Sequence, residues 1–291
     1  MNVQERYKRY TEKRYEITSL IEINTWYKEK STSFHKKLQD IAFTPIEFVI
    51  NSFGKEKFEQ LEDAIYFTTK KLIESSTFTV DLQKIARKAK KYGVNIKDLN
   101  DIKICNLRLL DKCNRESINF HEKAAAIHGA AAGIGGAFVG TIDLAVVLVN
   151  DFRMIQEIAF CYGFDPNEDI EKRIILKMIE VGIGSSEIKF RALEEIEHLR
   201  KLQTAKKMNT QVIHIIATKT LESYVQSITL ALLIRFMECS IPIISMAMSA
   251  RSNFEFMENT GNAAFMVYRK RFIERKHSLG NGIDVCMNCH F

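Results

Sequence analysis

The sequence predicts an all-α protein, a multi-helix bundle with a glycine-rich central helical hairpin. Three observations favour helices. The 291 residues contain only three prolines, and proline interrupts helices. Apolar residues recur every three or four positions over most of the chain, as one face of a helix requires. No stretch alternates apolar and polar residues between hairpin turns, so strands are not expected.

Glycine and proline divide the chain into its predicted helices, because proline is tolerated in a first turn and glycine often ends a helix. Residues 1–30 alternate charged and apolar side chains as far as Trp26, which predicts a long amphipathic helix with a solvated charged face. After a stop at Gly163, Asp165 is expected to cap the next helix and Pro166 to open it. Further helices are expected at Ser31–Thr44, Pro45–Ser52, Phe58–Ile73, Val80–Tyr92, Ile102–Ile118, through the central segment to Gly163, Glu168–Val181, Glu187–Lys207, Thr210–Glu238 and, after a segment that starts at Pro242, as far as Lys276.

We expect one domain over residues 1–275, with an amphipathic and basic helical part, 1–100, and a glycine-rich core part, 101–275. Residues 276–291 lack periodicity and are predicted to be a flexible tail. The tail contains CMNCH, residues 286–290, which matches the CxxCH pattern of haem attachment. That attachment requires export, and the charged start MNVQERYKRY has no apolar secretory region. We therefore predict a cytoplasmic protein with reduced thiols and without haem.

The central segment, Ala124–Val149, has no ionised residue between Lys123 and Asp143. Nineteen uncharged residues approach the ~20 that cross a bilayer, but Ala and Gly gain little from lipid and Asp143 opposes insertion. We favour a buried hairpin in which glycine permits close helix packing, and a membrane-inserting or membrane-lying hairpin stays open as the alternative. The glycines of this predicted seam are Gly129, Gly133, Gly136 and Gly140.

Four polar residues follow on the same predicted helix: Asp143, Asn150, Arg153 and Glu157. Helical geometry places them within one arc of about 80°, so they form a polar stripe on an otherwise apolar helix. A structural network of hydrogen bonds and ion pairs is the favoured interpretation. A ligand-binding or catalytic site is the alternative, because an ionised aspartate in apolar surroundings needs a partner.

Two further patterns resemble cofactor sites. HGAAAGIGGA, residues 128–137, is similar to the glycine-rich phosphate loop of short-chain dehydrogenases, but that loop must follow a buried strand and the preceding residues are helical. Glu195–His198 and Glu274–His277 have the ExxH spacing of di-iron bundles, yet both lie in charged stretches that predict solvated faces. The sequence therefore predicts no catalytic residue, no metal and no cofactor.

The net charge is +6, from 42 Lys+Arg and 36 Asp+Glu. Basic clusters occur at residues 6–14, 84–91 and 269–276, and each alone predicts a solvated helix face. If two or three shared one surface, they would attract anionic lipid headgroups at about 1 kcal/mol per basic residue. No nucleic-acid-binding motif accompanies the charge, so a nucleic-acid partner is not expected.

The glycine-rich segment leading to Asp143 and the helix through Arg153 that ends in YGFDP resemble the EcsC family. The late pattern IP…ARSNF…YRKRF and the acidic, aromatic stretch ending at Trp26 are also similar, so that the resemblance covers roughly residues 10 to 276. It implies a bacterial helical protein near membranes, because the family takes its name from an operon that also encodes an ABC exporter, and it supplies no reaction. The positions that carry the resemblance are Tyr162, Gly163, Asp165 and Pro166 in the turn, and Pro242, Asn253 and Arg271 later in the chain.

The leading hypothesis is a non-catalytic, membrane-associated helical protein, cytoplasmic or peripheral at the inner membrane. Its expected partners are an anionic membrane surface and a membrane protein such as a transporter. One alternative is a membrane-active effector that permeabilises the bilayer from inside. The other alternative is a helical enzyme or a ligand- or metal-binding bundle that uses the Asp143–Glu157 stripe.

Overall fold

The computed structural model describes residues 2–29, 51, 54–74, 82–93, 95–132, 140–184, 186–204 and 245–279, and five positions between 221 and 229. Every regular element within these ranges is an α-helix, which confirms the predicted all-α class. The helices are α1 (Val3–Lys28), α2 (Lys55–Glu74), α3 (Leu82–Lys91), α4 (Leu99–Lys103), α5 (Leu107–Ala132), α6 (Gly140–Cys161), α7 (Asp169–Ile183), α8 (Ser186–Thr204) and α9 (Ser245–Leu279).

α9 is the central helix of the bundle. It packs against α5, α6 and α7, and α1 lies against it from outside. From Thr260 to Ile273 only Asn262 and Lys270 are not buried, and a helix buried on nearly every side is typical of the core of a large bundle. Around this axis α8 pairs with α7, α6 pairs with α5, α2 covers α6 and α3 covers α5.

Short polar side chains set the beginnings of α4 and α5. The Asp98 carboxylate accepts the backbone N–H of Asn100 at 2.7 Å, and the Asn106 side chain accepts the N–H of Arg108 at 2.9 Å. Such caps satisfy donors that a helix start leaves unpaired. The predicted helix Ile102–Ile118 is therefore wrong at both ends, because Ile102 belongs to the separate helix α4 and α5 continues to Ala132.

The turn after α6 confirms the predicted stop at Gly163. Gly163 has φ +76°, a left-handed conformation that glycine adopts without strain, and the Phe164 N–H donates to the Ala159 carbonyl at 3.0 Å across it. The prediction that Asp165 and Pro166 open the next helix is wrong. Asp165 instead accepts the N–H of Asn167 at 2.9 Å within the turn, and α7 starts only at Asp169.

Part of the predicted architecture lies outside the described residues. Gly129 is in the last turn of α5 and Gly140 is the first residue of α6, so the glycine-rich hairpin between them stays a prediction. α9 continues to Leu279, so residues 276–279 of the predicted tail are helical. None of the described helices is long and apolar enough to cross a membrane. The predicted features outside the described residues are Gly133, Gly136, Pro242, Ser31–Thr44, most of Pro45–Ser52, most of Thr210–Glu238 and residues 280–291.

Close helix packing through glycine occurs between α7 and α9. A Cβ atom added at Gly182 would lie 2.6 Å from the Cα atom of Thr260, which is closer than real contacts allow. The two backbones therefore approach as they do only where a side chain is missing.

Replacing Gly182 with alanine is expected to lower the free energy of unfolding by up to about 2 kcal/mol. Overpacking costs about 1–3 kcal/mol, whereas the helix gains about 1 kcal/mol when alanine replaces glycine. Chemical denaturation measures the change, with Asn119→Ala on the exposed face of α5 as the control for helix propensity alone. A Gly182→Ala protein at least as stable as the wild type would contradict the close approach of α7 and α9.

Candidate functional site

A buried polar network joins α1, α5, α6 and α9 around Asp111. The Arg269 guanidinium on α9 lies 2.7 Å from one Asp111 oxygen. The hydroxyl of Tyr15 donates to that oxygen, and the hydroxyl of Tyr162 donates to the other, each at 2.7 Å. Burial raises the pKa of Asp111, while the Arg269 charge and these hydrogen bonds oppose the shift. Arg269 also donates to Glu22 of α1 at 2.7 Å, so one arginine connects three helices.

A second buried pair lies beside the turn that follows α6. Arg271 donates through both terminal nitrogens to Glu171 of α7, at 2.8 and 2.5 Å. Its guanidinium carbon lies 4.0 Å from the centre of the Phe164 ring, and that of Arg275 lies 4.3 Å from the same ring. Arg275 also donates to the Gly163 carbonyl at 2.7 Å. The structure therefore brings Arg271 and Arg275 together with Gly163 and Phe164 of this turn.

The basic cluster at residues 269–276 is not a solvated face, contrary to the prediction. Four of its five charges pair with carboxylates, mostly on α1, α5, α7 and α8, far away in sequence, and Arg275 donates to backbone carbonyls. Glu274, also expected to be solvated, pairs with Arg200 of α8. The partners are Asp111 and Glu22 for Arg269, Glu171 for Arg271, Glu197 and Glu274 for Lys270, and Glu16 for Lys276.

Two residues of the predicted polar stripe face α5. Glu157 accepts the Ser117 hydroxyl at 2.6 Å and lies 3.5 Å from the Lys88 ammonium of α3. Asn150 Oδ1 lies 2.7 Å from Nδ1 of His121, whose Nε2 is 3.6 Å from Glu157. The arrangement is a buried network between α3, α5 and α6. Glu157, Ser117 and Asn150 have hydrogen-bond partners, whereas the buried Nε2 of His121 has none within the described residues.

The other two residues of the stripe are Arg153 and Asp143. Arg153 lies at the edge of the predicted arc and is exposed, and the side chain of Asp143 lies outside what the structure describes. Asn253 is half-buried on α9, away from the turn residues along the helix. Within the described residues no group of three or more His, Cys, Asp or Glu side chains is arranged to hold a metal. Glu195, from one ExxH pattern, pairs with Lys177 at 2.7 Å.

Sequence reasoning missed the most deeply buried acid of α6. Asp151 accepts a hydrogen bond from Thr260 at 2.5 Å, and its second oxygen has no hydrogen-bond partner. Burial raises the pKa of Asp151 to about 8, and the Thr260 hydroxyl opposes the shift. Its position between Asn150 and Phe152 gave no signal, because no basic residue is spaced to meet it on α6.

The outward face of α1, which we call the α1 outer face, combines exposed apolar side chains with positive charge. Tyr7, Tyr10, Ile17 and Ile21 are 71, 65, 47 and 62% exposed. At 100° per residue they fall within one arc of about 80°, which widens to about 120° with four basic residues beside them, and no acidic residue of α1 falls on the wider arc. The sequence predicted that α1 exposes only a charged face, and this is wrong, because these four apolar residues are also in solvent while Ile23 on the other side is buried. The basic residues on the same arc are Arg6, Lys13, Arg14 and Lys28.

An exposed basic strip on α5 lies between α1 and α3. α1 meets α5 through the Tyr15–Asp111 hydrogen bond, and α3 meets it through Lys91, which pairs with Glu116 at 3.0 Å. The α5 side chains between these two contacts point to solvent. The basic clusters 6–14 and 84–91 therefore flank a third set of positive charges. The exposed basic residues are Arg108, Lys112, Arg115 and Lys123 on α5, and Arg87, Lys90 and Lys91 on α3.

Comparison with known proteins identifies the family. A sequence model of the EcsC protein family matches residues 18–273, which is most of the chain. The chain belongs to the EcsC protein family. This EcsC protein is also similar to the uncharacterized protein YdbA of Bacillus subtilis (strain 168), with 25% identity over 256 residues, 87% of this chain and 91% of the relative. No solved structure matches it. The family match confirms the resemblance read from the sequence. It begins at residue 18, so Tyr7, Tyr10 and Ile17 of the α1 outer face lie before the matched region.

Replacing Asp151 with asparagine is expected to change how stability depends on pH. Asp151 ionises near its ordinary pKa of 3.8 in the unfolded chain but keeps its proton to about pH 8 in the folded protein. The folded state therefore binds more protons between these values, and the free energy of unfolding falls as pH rises, by up to about 1.4 kcal/mol per pH unit. The asparagine variant lacks this contribution, so its stability relative to wild type should increase from about pH 5 to about pH 8.

Denaturant unfolding at several pH values measures this difference. The control is Asp63→Asn on the exposed side of α2, which makes the same change of carboxylate to amide at the surface. If Asp151→Asn and wild type lost stability in parallel over the whole range, Asp151 would not be a buried neutral acid.

Replacing Arg271 with lysine should lower the free energy of unfolding by about 1.5–3 kcal/mol, because lysine cannot make both hydrogen bonds to the buried Glu171. The control is Arg115→Lys, whose pair with Glu22 is half-exposed and long at 3.7 Å, so that its effect should stay below about 1 kcal/mol. Thermal and chemical unfolding compare the two variants. Equal effects would argue against a structural role for the Arg271–Glu171 pair.

Proposed function

We propose that this EcsC protein binds peripherally to an anionic membrane surface through the α1 outer face. The observation that carries the proposal is the combination of two tyrosines, two isoleucines and four basic residues on one solvent-facing arc without an acid. A helix that lies in a membrane interface has this composition, with apolar and aromatic side chains entering the headgroup region and basic residues meeting anionic lipid.

The energetics favour a surface contact over insertion. Each basic residue held near an anionic surface contributes about 1 kcal/mol, and burying an isoleucine contributes about 1.5–3 kcal/mol when the burial is complete. Ile17, Ile21 and the basic residues on their arc together supply enough for reversible binding. No described helix needs to cross the bilayer for this contact, which agrees with the lack of a spanning helix among them.

Internal pairing keeps the acids of α1 away from this surface. Glu12 accepts the Asn106 amide at 2.7 Å, Glu16 pairs with Lys276 at 2.6 Å and Glu22 pairs with Arg269 at 2.7 Å. The bundle thus compensates the charges of Glu16 and Glu22, while the positive charges of the outer face stay available. This segregation raises the attraction to an anionic surface without changing the net charge of the protein.

The basic strip on α5 extends the charged surface beside α1. A nucleic-acid partner would use these charges but would leave Ile17 and Ile21 without a role, so lipid accounts for more of the surface. A membrane protein such as a transporter is the other expected partner, and the protein would contact it at the same membrane surface. Protein-free vesicles separate the two cases, because they contain lipid alone.

The double variant Ile17→Ser, Ile21→Ser is expected to bind vesicles of phosphatidylglycerol and phosphatidylcholine about tenfold more weakly than wild type, because it loses apolar insertion while keeping every charge. Co-sedimentation at low salt measures the bound fraction. The control is Phe67→Ser, which removes a side chain that is 65% exposed on α2, outside the α1 outer face.

Wild-type binding should also decrease as salt rises, because screening weakens the contribution of exposed charges. Wild-type protein that stays in the supernatant with anionic vesicles at low salt would exclude lipid binding. If that wild-type protein sedimented only with membranes that contain proteins, the α1 outer face would bind a membrane protein instead of lipid.

A further inference from the structure

A cleft of about 90 Å³ opens where the first half of α1 crosses the beginning of α5. Four of its lining residues lie on the flank of α1 and two at the start of α5. They are Lys8, Thr11, Glu12, Tyr15, Asn106 and Arg108. Nothing in the membrane contact described above uses this cleft, because its residues lie beside the α1 outer face and not on it.

Two positive charges line the cleft without an acidic partner. The Arg108 guanidinium carbon lies 4.7 Å from the centre of the Tyr15 ring, which holds the side chain by a cation–π contact. In the part of the chain that the structure describes, neither Arg108 nor Lys8 has a carboxylate within ion-pair distance. Arginine stacked on a ring keeps its N–H donors at the guanidinium edge, where they suit phosphate oxygens.

The start of α5 adds to the positive potential. Asn106 caps the helix by accepting the N–H of Arg108 at 2.9 Å, so the N-terminal end of a helix of 26 residues points toward the cleft. The partial positive charge at a helix N-terminus favours an anion. This partial charge and the charges of Lys8 and Arg108 together favour a phosphate group at this end of the cleft.

The Glu12 carboxylate favours a hydrogen-bond donor in the cleft, whereas Lys8 and Arg108 favour an anion. One of its oxygens accepts the Asn106 amide at 2.7 Å, and the other makes no hydrogen bond with a described residue. A simple phosphate would meet this carboxylate unfavourably. A phosphate ester whose organic end carries hydroxyl or ammonium donors would satisfy Glu12 while its phosphate meets Lys8 and Arg108.

We propose that this cleft binds a phosphodiester with a donor-bearing head, such as the phosphoglycerol group of an anionic phospholipid. The size permits such a group, because a cleft of about 90 Å³ has room for more than one water molecule. The inference rests on the proposed membrane association and adds headgroup selectivity to it.

The experiment compares two vesicles of equal charge. Phosphatidylglycerol carries two hydroxyls on its head, whereas phosphatidylmethanol has the same single negative charge and no donor. Full-length wild-type protein should bind phosphatidylglycerol vesicles about tenfold more tightly, because a hydrogen bond to the Glu12 carboxylate distinguishes them. Arg108→Gln and Lys8→Gln should remove this preference, because the phosphate is then no longer held at its end of the cleft.

Lys112→Gln is the matched control, since it removes one exposed charge from the same strip of α5 outside the cleft. It should weaken binding to both vesicles equally and keep the preference. Equal binding of wild type to both vesicles, or a preference that Arg108→Gln retains, would overturn the headgroup site and leave membrane association standing. No binding to either vesicle would overturn the membrane association itself.

Soluble glycerophosphoglycerol distinguishes the two sources of this chemistry. If it competes with phosphatidylglycerol vesicles only at millimolar concentrations, the lipid is the ligand. If it binds in an Arg108-dependent way to a protein that ignores both vesicles, the cleft chemistry is supported with a soluble ester as its source, and the membrane proposal is wrong.

Discussion

The ion pair between Asp111 and Arg269 determines how α1, α5, α6 and α9 fit together. Removing two charges from water costs several kcal/mol per ion, and the attraction between them compensates only when further hydrogen bonds satisfy the remaining polar atoms. Tyr15 and Tyr162 supply these bonds from two other helices. A shift of any of the four helices by one turn would leave a buried charge without its partner. The network therefore specifies register more than it adds stability.

The same requirement explains how α1 is attached. Its inner side is fastened mainly by polar contacts, and its last turn is held by Lys189 of α8, which donates to the Trp26 carbonyl at 2.9 Å with its ammonium 4.1 Å from the Trp26 ring. Cations at a helix C-terminus compensate the partial negative charge of the last carbonyls. Ile23 is the fully buried aliphatic residue of α1. α1 is thus attached to the bundle while the apolar residues of its outer face remain exposed.

The sequence could predict what depends on local pattern, and it could not predict what depends on distant partners. Helical periodicity and the left-handed glycine at position 163 are local, so the all-α class and the end of α6 were predicted correctly. Arg269 and Asp111 are 158 positions apart, and no rule of spacing assigns a buried arginine to a remote aspartate. The cluster 269–276 was therefore taken for a solvated face. The polar stripe shows the same limit: helical spacing relates Asn150 and Glu157, but their partners on α5, His121 and Ser117, lie 29 and 40 positions away in sequence.

α1 has apolar residues on both its inner and its outer side, but its polar residues determine which side faces the bundle. If α1 turned over, Tyr7, Tyr10, Ile17 and Ile21 could pack against the bundle, but Arg269 would lose Glu22 and the hydroxyl of Tyr15. The basic residues of the outer face would then meet Lys276, and uncompensated buried charge costs about 3–5 kcal/mol for each broken pair. The same rotation would also expose Ile23, which is now fully buried. The buried ion pairs therefore keep the apolar residues of the outer face in solvent, where a membrane surface can reach them.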